Sequence, residues 1–487
     1  MSNNFHLIYA AAHAGYDPTT VPLGGAAAIC ERLVKEWGPR PNIKLTLIGP
    51  GEGLRYQGFE YIKLPGTPPD LIHLSELKYA DFSVRFENFV AETVEGIVRA
   101  NGVRDTCFIS NDISEAGDFV RIHRTGVPIL TLYHVDVVEF FSKIYLRNVL
   151  PAERLTAIFD GVLRGPFKSW VPRLPGLVFK KQRESLLYSR GVVVPSEAMK
   201  AVLCRCYPWA PPERIHVIPW GGSPEEIPAS EREAEARRLT ALYGVRPSDT
   251  VLMTLSRISP EKGIDLFLEA LILWERESQP PHLNPLPLRG GEEFNKYSSP
   301  PEGGRGQGEG GIFHLFICGE AAYMRGESYK KKLIRLAGRL KRTKVHFPGY
   351  VAGPTKAGFF ELADLYVFPS RHDSYGLTLV EAMQAGLPVL TSSHHSAREL
   401  VGEGSGRVVR WGRESEAPGV LLGALKGLLA DPARLADMGR QAMVASSRWD
   451  FSSAAERILT LARNCIMDPC PDTPKDTPNQ DSKPSSR

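Results

Sequence analysis

Residues 368–390 read FPSRHDSYGLTLVEAMQAGLPVL, and this pattern predicts the end of a strand, a loop, a helix and the start of the next strand. Four of these residues have helical spacing: Leu377, Val380, Glu381 and Gln384. Gly376 comes just before the first turn, Gly386 suits a left-handed helix end, and Pro388 prevents the helix from continuing. The helix is therefore expected to begin where the loop ends.

The start of this helix is suited to bind a phosphate or diphosphate. Backbone N–H groups of a first helical turn lack partners within the helix, and the helix dipole places partial positive charge there. Asp373 lies before the helix and Glu381 inside it, with seven residues between them. A carboxylate one turn in accepts hydrogen bonds from ribose hydroxyls without meeting the phosphates. The alternative is an amphipathic helix with a solvated glutamate.

Short apolar runs alternate with helical patterns along the rest of the chain, which predicts the α/β class. The first run, Phe5–Ala11, is typical of a buried parallel strand, and the loop after it contains Gly24 and Gly25. Glycines in such a loop let a ligand approach the backbone, although tight turns also use them. Further strands are expected at 44–48, 61–64, 106–110, 128–133, 191–195 and 215–219, and helices at 26–37, 86–99, 230–243 and 328–340.

Two other loops carry residues suited to a ligand site. His134 and Asp136 follow the strand expected at 128–133, at the end where open α/β sheets bind ligands. Arg257 and Lys262 lie in the loop after the strand that begins at Val251. Two cations at this position suit a nucleotide diphosphate, because a leaving diphosphate gains negative charge. A structural histidine and ordinary surface charges are the alternatives.

The pattern resembles glycosyltransferase family 4, also described as glycosyl transferases group 1. In that family a Glu, seven residues and a second Glu precede an Ala-Gly-Pro helix exit, and here Asp373 stands at the first Glu. The basic loop with Arg257 and Lys262 resembles the family's donor-diphosphate loop. The resemblance implies the glycosyltransferase B fold, in which two Rossmann-like domains face a central cleft. It places the acceptor on the first domain and the nucleotide sugar on the second.

The resemblance also implies roles for single residues. It assigns the donor site to Arg257, Lys262, Gly319, Val351, Asp373, Gly376, Leu377 and Glu381, and the acceptor-side glycine loop to Gly24 and Gly25. Asp373, Glu381, His134, Lys262 and Arg257 are the expected catalytic residues. His394 and His395 stand where the family commonly has small residues; they either face the donor or fill the loop, and we favour the second interpretation. Glu399 matches the glutamate that starts the following helix.

The resemblance implies no bound metal, and the lack of an evident DxD-like doublet in the donor loops is consistent with this. We expect no cofactor beyond the nucleotide sugar, with UDP or GDP as the nucleotide. The reaction that the resemblance implies transfers a hexosyl group, with retention of configuration, to a hydroxyl of a glycan, a lipid-linked acceptor or a small molecule. An epimerase or phosphorylase on the same fold, or a non-catalytic protein that binds nucleotide sugars, remain alternatives.

The expected domain limits follow from the same patterns. Residues 1–220 form the acceptor-side domain, 221–445 the nucleotide-sugar domain, and 446–465 a helix that crosses back to the first domain. Residues 276–311 contain six prolines and eight glycines and are expected to be a disordered insertion that can be deleted without loss of folding or activity. Residues 466–487 are expected to be a disordered tail.

Composition limits the choice of partner and compartment. A net charge of +4 over 487 residues predicts no nucleic-acid partner. Seven scattered cysteines without CxxC spacing, and no apolar run near the roughly 18 residues of a membrane span, favour a cytoplasmic protein with reduced thiols. Residues 164–183 mix basic and apolar side chains. Such a segment is typical of peripheral contact with the inner face of a membrane or with a lipid-linked acceptor. The alternative is a solvated loop that leads into a helix.

Overall fold

In a computed structural model of the chain, the described residues are 5–17, 21, 24–54, 57–66, 71, 74, 76–113, 117–146, 149–164, 173–222, 227–277, 312–321 and 326–467. Within these ranges the strands form two parallel sheets, each with helices around it. The α/β class predicted from the sequence is confirmed.

The first sheet has the strand order β3-β2-β1-β4-β5-β6-β7. Its strands are β1 (Phe5–Ala10), β2 (Ile43–Gly49), β3 (Glu60–Lys63), β4 (Thr106–Ser110), β5 (Ile129–Leu132), β6 (Gly191–Val194) and β7 (Ile215–Val217). Its helices are α1 (Gly25–Trp37), α2 (Glu76–Asn101), α3 (Phe119–Arg124), α4 (Val137–Phe140), α5 (Ala152–Arg164), α6 (Arg173–Tyr188) and α7 (Glu197–Cys206). Every residue of β1, β4, β5 and β6 is buried, as the continuous apolar runs predict for strands covered on both faces.

The second sheet has the strand order β10-β9-β8-β11-β12-β13. Its strands are β8 (Thr250–Leu255), β9 (Phe313–Cys318), β10 (Thr343–Gly349), β11 (Leu365–Phe368), β12 (Val389–Ser392) and β13 (Gly406–Val409). Its helices are α8 (Ala229–Tyr243), α9 (Ile264–Arg276), α10 (Gly326–Ala337), α11 (Gly353–Leu362), α12 (Leu377–Gln384), α13 (Ala397–Leu400), α14 (Ala417–Leu429) and α15 (Pro432–Ser446).

The strand order places a topological switch point between β8 and β11. The chain reverses direction across the sheet there, and the loops after these two strands open a crevice in which parallel sheets bind ligands. The loop after β8 carries Arg257 and Lys262, and the loop after β11 carries Asp373 and Gly376. The topology therefore brings together two motifs that lie more than 100 residues apart, since Lys262 and Asp373 are separated by 111 positions.

The last helix, α16 (Phe451–Met467), packs against the first sheet. The indole of Trp37 on α1 donates to the carbonyl of Ala455 at 3.3 Å, and Arg457 donates to the carbonyl of Val217 at 2.8 Å. The largest buried apolar cluster contains residues of both sheets together with α16. Helix α16, which follows the second sheet in the chain, thus packs on the first sheet against β4, β5 and β6.

Several element limits differ from the sequence predictions. The helix expected at 86–99 is α2, which begins ten residues earlier, and the helix expected at 328–340 is α10, which ends at Ala337. Tyr79, Phe82 and Phe86 continue the helical spacing of α2 toward its start, and Gly338, a residue of low helix propensity, follows the end of α10. The expected insertion at 276–311 and the expected tail at 466–487 both begin too early, because Arg276 ends α9 and Met467 ends α16. Residues 278–311, the tail from 468 onward, and positions 165–172 of the basic segment lie outside the described residues.

Candidate functional site

The loops after β8 and β11 are joined by a direct ion pair. Nζ of Lys262 lies 2.6 Å from Oδ2 of Asp373, and each side chain is 13% exposed. The backbone carbonyl of Glu261 accepts hydrogen bonds from the N–H groups of Arg371, at 2.7 Å, and His372, at 3.3 Å. The cation and the carboxylate predicted for the donor site are therefore held beside each other at the switch point.

The ion pair sets the charge of Asp373. Burial alone would raise the pKa of this carboxyl, but the charge of Lys262, then that of His394, and the hydrogen bond from Lys262 lower it well below its ordinary value. Its other oxygen, Oδ1, accepts from the backbone N–H of Tyr375 at 3.1 Å. Asp373 is consequently ionised at neutral pH, and its negative charge is directed toward Lys262.

A second ion-pair network fixes the loop after β11 to helices α9 and α10. Arg371 donates to both carboxylate oxygens of Asp265 on α9, at 2.7 and 2.9 Å, and Lys332 and Tyr329 contact the same carboxylate at 2.6 Å. Gly263 has φ +64°, and a Cβ there would lie 2.1 Å from the carbonyl oxygen of Pro369. The two loops approach so closely that only glycine fits at this position.

Helix α12 begins where the sequence pattern predicts. Gly376 has φ +86°, a left-handed conformation that glycine adopts readily. The first backbone hydrogen bond of this turn is donated by Leu379 to the carbonyl of Gly376, so the N–H groups of Leu377 and Thr378 precede it. These N–H groups and the positive end of the helix dipole are suited to an anionic ligand.

Glu381 is engaged by two cations that the sequence analysis did not identify. Its Oε1 lies 3.1 Å from Nη2 of Arg32, on α1 of the first sheet, and 3.5 Å from Nζ of Lys356, on α11. Its Oε2 accepts no hydrogen bond from the described residues. The carboxylate therefore links the two sheets while one oxygen stays available to a ligand hydroxyl.

The glycine loop of the first sheet faces the predicted donor residues. A Cβ added to Gly24 would lie 3.8 Å from Cδ and Nε of Arg257, and one added to Gly25 would lie 3.0 Å from Cδ1 of Leu377. Arg257 is 35% exposed, and its Nη2 is 3.9 Å from Oε1 of Glu261. Residues predicted on both sides of a cleft thus meet across it.

His134 belongs to a hydrogen-bonded network below the glycine loop. Its Nε2 is 2.9 Å from Oδ1 of Asn111, its ring stacks on Trp220 at 5.3 Å, and Asn111 donates to the carbonyl of Ala26 at 3.1 Å. Burial lowers the pKa of His134 to about 3, so the imidazole is neutral. Because Oδ1 of Asn111 is an acceptor, Nε2 of the neutral imidazole donates to it, which leaves Nδ1 able to accept one hydrogen bond.

Three other positions singled out in the sequence have structural explanations. Asp136 is fully buried and caps α4 by accepting from the N–H of Glu139 at 2.7 Å, and burial raises its pKa to about 6. The N–H of Gly319 donates to the carbonyl of Gly349 at 2.7 Å, and a Cβ on Gly319 would lie 1.9 Å from the carbonyl oxygen of Ser256. Val351 is 6% exposed and packs in the core.

The sequence of the second-sheet region matches a known family. Residues 309–443 fit the family model described as glycosyl transferases group 1, and this segment contains Asp373, Gly376 and Glu381 but not Arg257 or Lys262. Residues 309–443 are a glycosyl transferases group 1 domain. The family resemblance drawn from the sequence is confirmed for this domain, and the narrower assignment to family 4 stays a prediction.

A relative matches about half of the chain in sequence, and solved structures match most of the chain in fold. D-inositol 3-phosphate glycosyltransferase 2 of Catenulispora acidiphila is 28% identical over 239 residues, which are 49% of this chain and 48% of that protein. The match thus spans about half the length of this curated relative. A sucrose-phosphate synthase from Thermosynechococcus elongatus superposes with a TM-score of 0.62 at 15% identity, over 95% of this chain and 99% of the other. Anabaena Alr3699/HepE, solved in complex with UDP-glucose, gives a TM-score of 0.59 at 17% identity, over 94% and 99%. The chain has the glycosyltransferase B fold.

The group 1 domain also contacts helices of the first sheet through residues for which the sequence predicted no such contact. His395, which we expected to fill its loop, is hydrogen-bonded to Glu139 on α4. His394 is 7% exposed and its ring lies edge-on to Phe368 at 5.4 Å, as a loop-filling side chain would. The Glu399 carboxylate accepts from the N–H groups of Glu197, at 3.0 Å, and Ala198, at 2.9 Å, at the start of α7. No local pattern marks these contacts.

No described helix combines the length and the apolar character that crossing a bilayer requires.

Proposed function

We propose that the chain is a retaining glycosyltransferase that moves a hexosyl group from a nucleotide-diphosphate sugar to an acceptor hydroxyl. The observation that carries the proposal is the Lys262–Asp373 pair at the switch point, beside the first turn of α12. Two neighbours of this pair, Arg257 and Leu377, face Gly24 and Gly25 across the cleft. This arrangement offers cations and helix N–H groups to a diphosphate, and carboxylates to sugar hydroxyls, within one crevice.

The leaving diphosphate would be stabilised by Lys262, Arg257 and the N–H groups of Leu377 and Thr378. Negative charge grows on the diphosphate as the glycosidic bond breaks, so fixed positive groups aimed at it lower the barrier. Lys262 is already held by Asp373 and needs little reorganisation when the donor binds. This charge neutralisation is the role that we assign to the two cations.

The two carboxylates would bind hydroxyls of the donor. Oε2 of Glu381 would accept from the ribose, while Arg32 and Lys356 hold Oε1 in place. Asp373 would accept from the transferred sugar, and His134 would border the reaction centre from the first sheet. We find no side chain placed to act as an enzymatic nucleophile among these residues, which favours attack on the same face as the departing phosphate, with retention of configuration.

The comparisons support a choice of first substrates. The Anabaena structure contains UDP-glucose, and the Catenulispora relative is named a D-inositol 3-phosphate glycosyltransferase. A second relative, 26% identical over 265 residues, is the mannosylfructose-phosphate synthase of Agrobacterium fabrum. We therefore propose UDP- or GDP-hexoses as donors and small phosphorylated polyols or sugars as acceptors to be tested before glycans and lipid-linked sugars. The protein would act in the cytoplasm, without nucleic acid.

The test is turnover with defined donors. Each UDP- and GDP-hexose is incubated with the full chain and an acceptor panel, release of the nucleoside diphosphate is measured, and NMR reports the anomeric configuration of the product. The proposal predicts acceptor-dependent release with retention. A donor converted to another sugar without acceptor, or release that requires inorganic phosphate, would instead indicate an epimerase or a phosphorylase.

A further inference from the structure

Two histidines and a glutamate meet where α4 of the first sheet faces the loops after β11 and β12. Nε2 of His395 is hydrogen-bonded to Oε2 of Glu139, and Nδ1 of His372 lies 4.0 Å from the same oxygen. One ligand atom from each of the three residues lies within 4.8 Å of the other two. Within the described ranges of the chain, this is the one group of three His, Cys, Asp or Glu side chains with such spacing.

Both histidine side chains are buried, and three of their ring nitrogens form no hydrogen bond with any described residue. The side chains of His372 and His395 are 3% and 4% exposed. Neither ring nitrogen of His372, nor Nδ1 of His395, has a hydrogen-bond partner in the described part of the chain. Burying a polar atom without a partner is unfavourable, and such atoms are uncommon in folded proteins. His372, whose two ring nitrogens are both unpartnered and whose Nδ1 faces Glu139, therefore points to a ligand.

Two imidazoles and one carboxylate form a donor set that divalent transition ions take. Zinc binds two histidines and a glutamate in sites that keep a further position open, and other first-row ions accept the same set. Aromatic packing limits rotation of the rings: His372 lies at 86° to His395 and edge-on to Phe140 at 5.6 Å. Lys143 holds the other oxygen of Glu139 at 3.0 Å, which leaves Oε2 directed at the histidines.

We propose that Glu139, His372 and His395 bind a divalent transition-metal ion, with zinc as the first ion to test. The ion would join α4 of the first sheet to two loops of the second, because Glu139 comes from one side of the cleft and both histidines from the other. A metal ion at this place would contradict the expectation, drawn from the sequence of the donor loops, that the chain binds no metal.

The position of the site gives the ion a structural role. His372 precedes Asp373, whose carboxylate holds Lys262, so a bound ion would fix this loop against α4. Opening of the cleft would then require a metal–ligand bond to break. The inference rests on the three ligands and stands whether or not the chain transfers sugars.

The experiment is a titration of the full chain, treated with EDTA and then desalted, with ZnCl₂ by calorimetry and with CoCl₂ by visible absorption. We expect one ion per chain at the site and d–d bands typical of low-coordinate cobalt. Binding at this stoichiometry and the bands should be absent in a His372→Ala/His395→Ala double variant. His216→Ala, on β7, is the matched control and should bind as the wild type does.

A second variant avoids the question of folding. Lys143→Met leaves all three ligands in place and removes the group that orients Glu139, so zinc affinity should fall by about 10–100-fold. Equal binding in the wild type and the double variant, or no saturable binding in the wild type, would overturn the proposal and leave a hydrogen-bonded pair of Glu139 and His395.

Discussion

Replacing Lys262 by Met removes the charge that faces Asp373 and keeps the length of the side chain. If Lys262 stabilises the leaving diphosphate, kcat should fall by about 10²–10³-fold, the usual effect of deleting one preorganised donor to a developing anion. This corresponds to about 2.7–4 kcal/mol of activation free energy. KM for the donor should change less, because the lost interaction strengthens as charge grows on the diphosphate.

The same change should also reduce stability. Lys262 and Asp373 are each 13% exposed, and after the substitution Asp373 keeps the N–H of Tyr375. Removing one partner of a buried pair costs about 3–5 kcal/mol, and the access of solvent to this pair places the loss at about 3 kcal/mol. Domains have about 5–15 kcal/mol of stability, so the variant should still fold.

The assay pairs initial rates of nucleoside diphosphate release with urea unfolding of the same preparations. Lys331→Met, an exposed lysine on α10, is the matched control and should leave both quantities unchanged. A folded Lys262→Met protein with wild-type kcat would refute the assigned role, whatever its stability.

Three further predictions concern the loop that carries Lys262, a buried histidine of the first sheet, and a contact between the two sheets. Gly263→Ala should displace the loop that carries Lys262, since its Cβ would lie 2.1 Å from a carbonyl oxygen, and kcat should fall at least about tenfold. Gly244→Ala is the control: Gly244 has φ +61° and a Cβ there would meet no atom within 4 Å, so the change should cost only about 1–2 kcal/mol of stability and no activity. Burial, together with Lys44, lowers the pKa of His6 to about 4, so between pH 6.5 and 4 the unfolded chain binds a proton at His6 that the folded chain does not. The contribution of His6 to stability is therefore present above pH 6.5 and is lost as the pH falls toward 4, at up to about 1.4 kcal/mol per pH unit. His6→Gln should reduce the slope of unfolding free energy against pH by that amount, and an unchanged slope would contradict the reasoning. Glu399→Ala should lose about 0.5–2 kcal/mol in urea unfolding, because its carboxylate caps α7 across the two sheets, and Glu399→Gln should lose less; equal losses would contradict the charge–dipole part of the argument.

Local patterns were sufficient to predict the core of the candidate site. The apolar run of β11, the glycine before α12 and the cations after β8 are each encoded within a few residues. Parallel strands place their following loops at one sheet edge, so the meeting of Lys262 with Asp373 follows from strand order. The roles of these residues toward a donor stay predictions.

Contacts between the two sheets could not be predicted in this way. Arg32 and Glu381 are 349 positions apart, and Glu139 and His395 are 256 apart. Their pairing depends on how the first sheet sits against the second, which helical or strand periodicity does not encode. The reverse holds for Asp136, which the sequence suggested as a ligand residue because it is polar and follows a strand. In the structure it is a buried cap of α4 that accepts from the N–H of Glu139.

The central claim is that the switch point of the second sheet binds a nucleotide sugar. The most direct measurement is the melting temperature of the full chain with UDP, GDP, ADP and their hexoses, since a ligand that binds the native state raises it by mass action. We expect a rise with one nucleotide series that is lost in Glu381→Gln, is smaller in Lys262→Met for the free nucleoside diphosphate, and is retained in Lys331→Met. No rise with any nucleotide, or an equal rise in all four proteins, would contradict it.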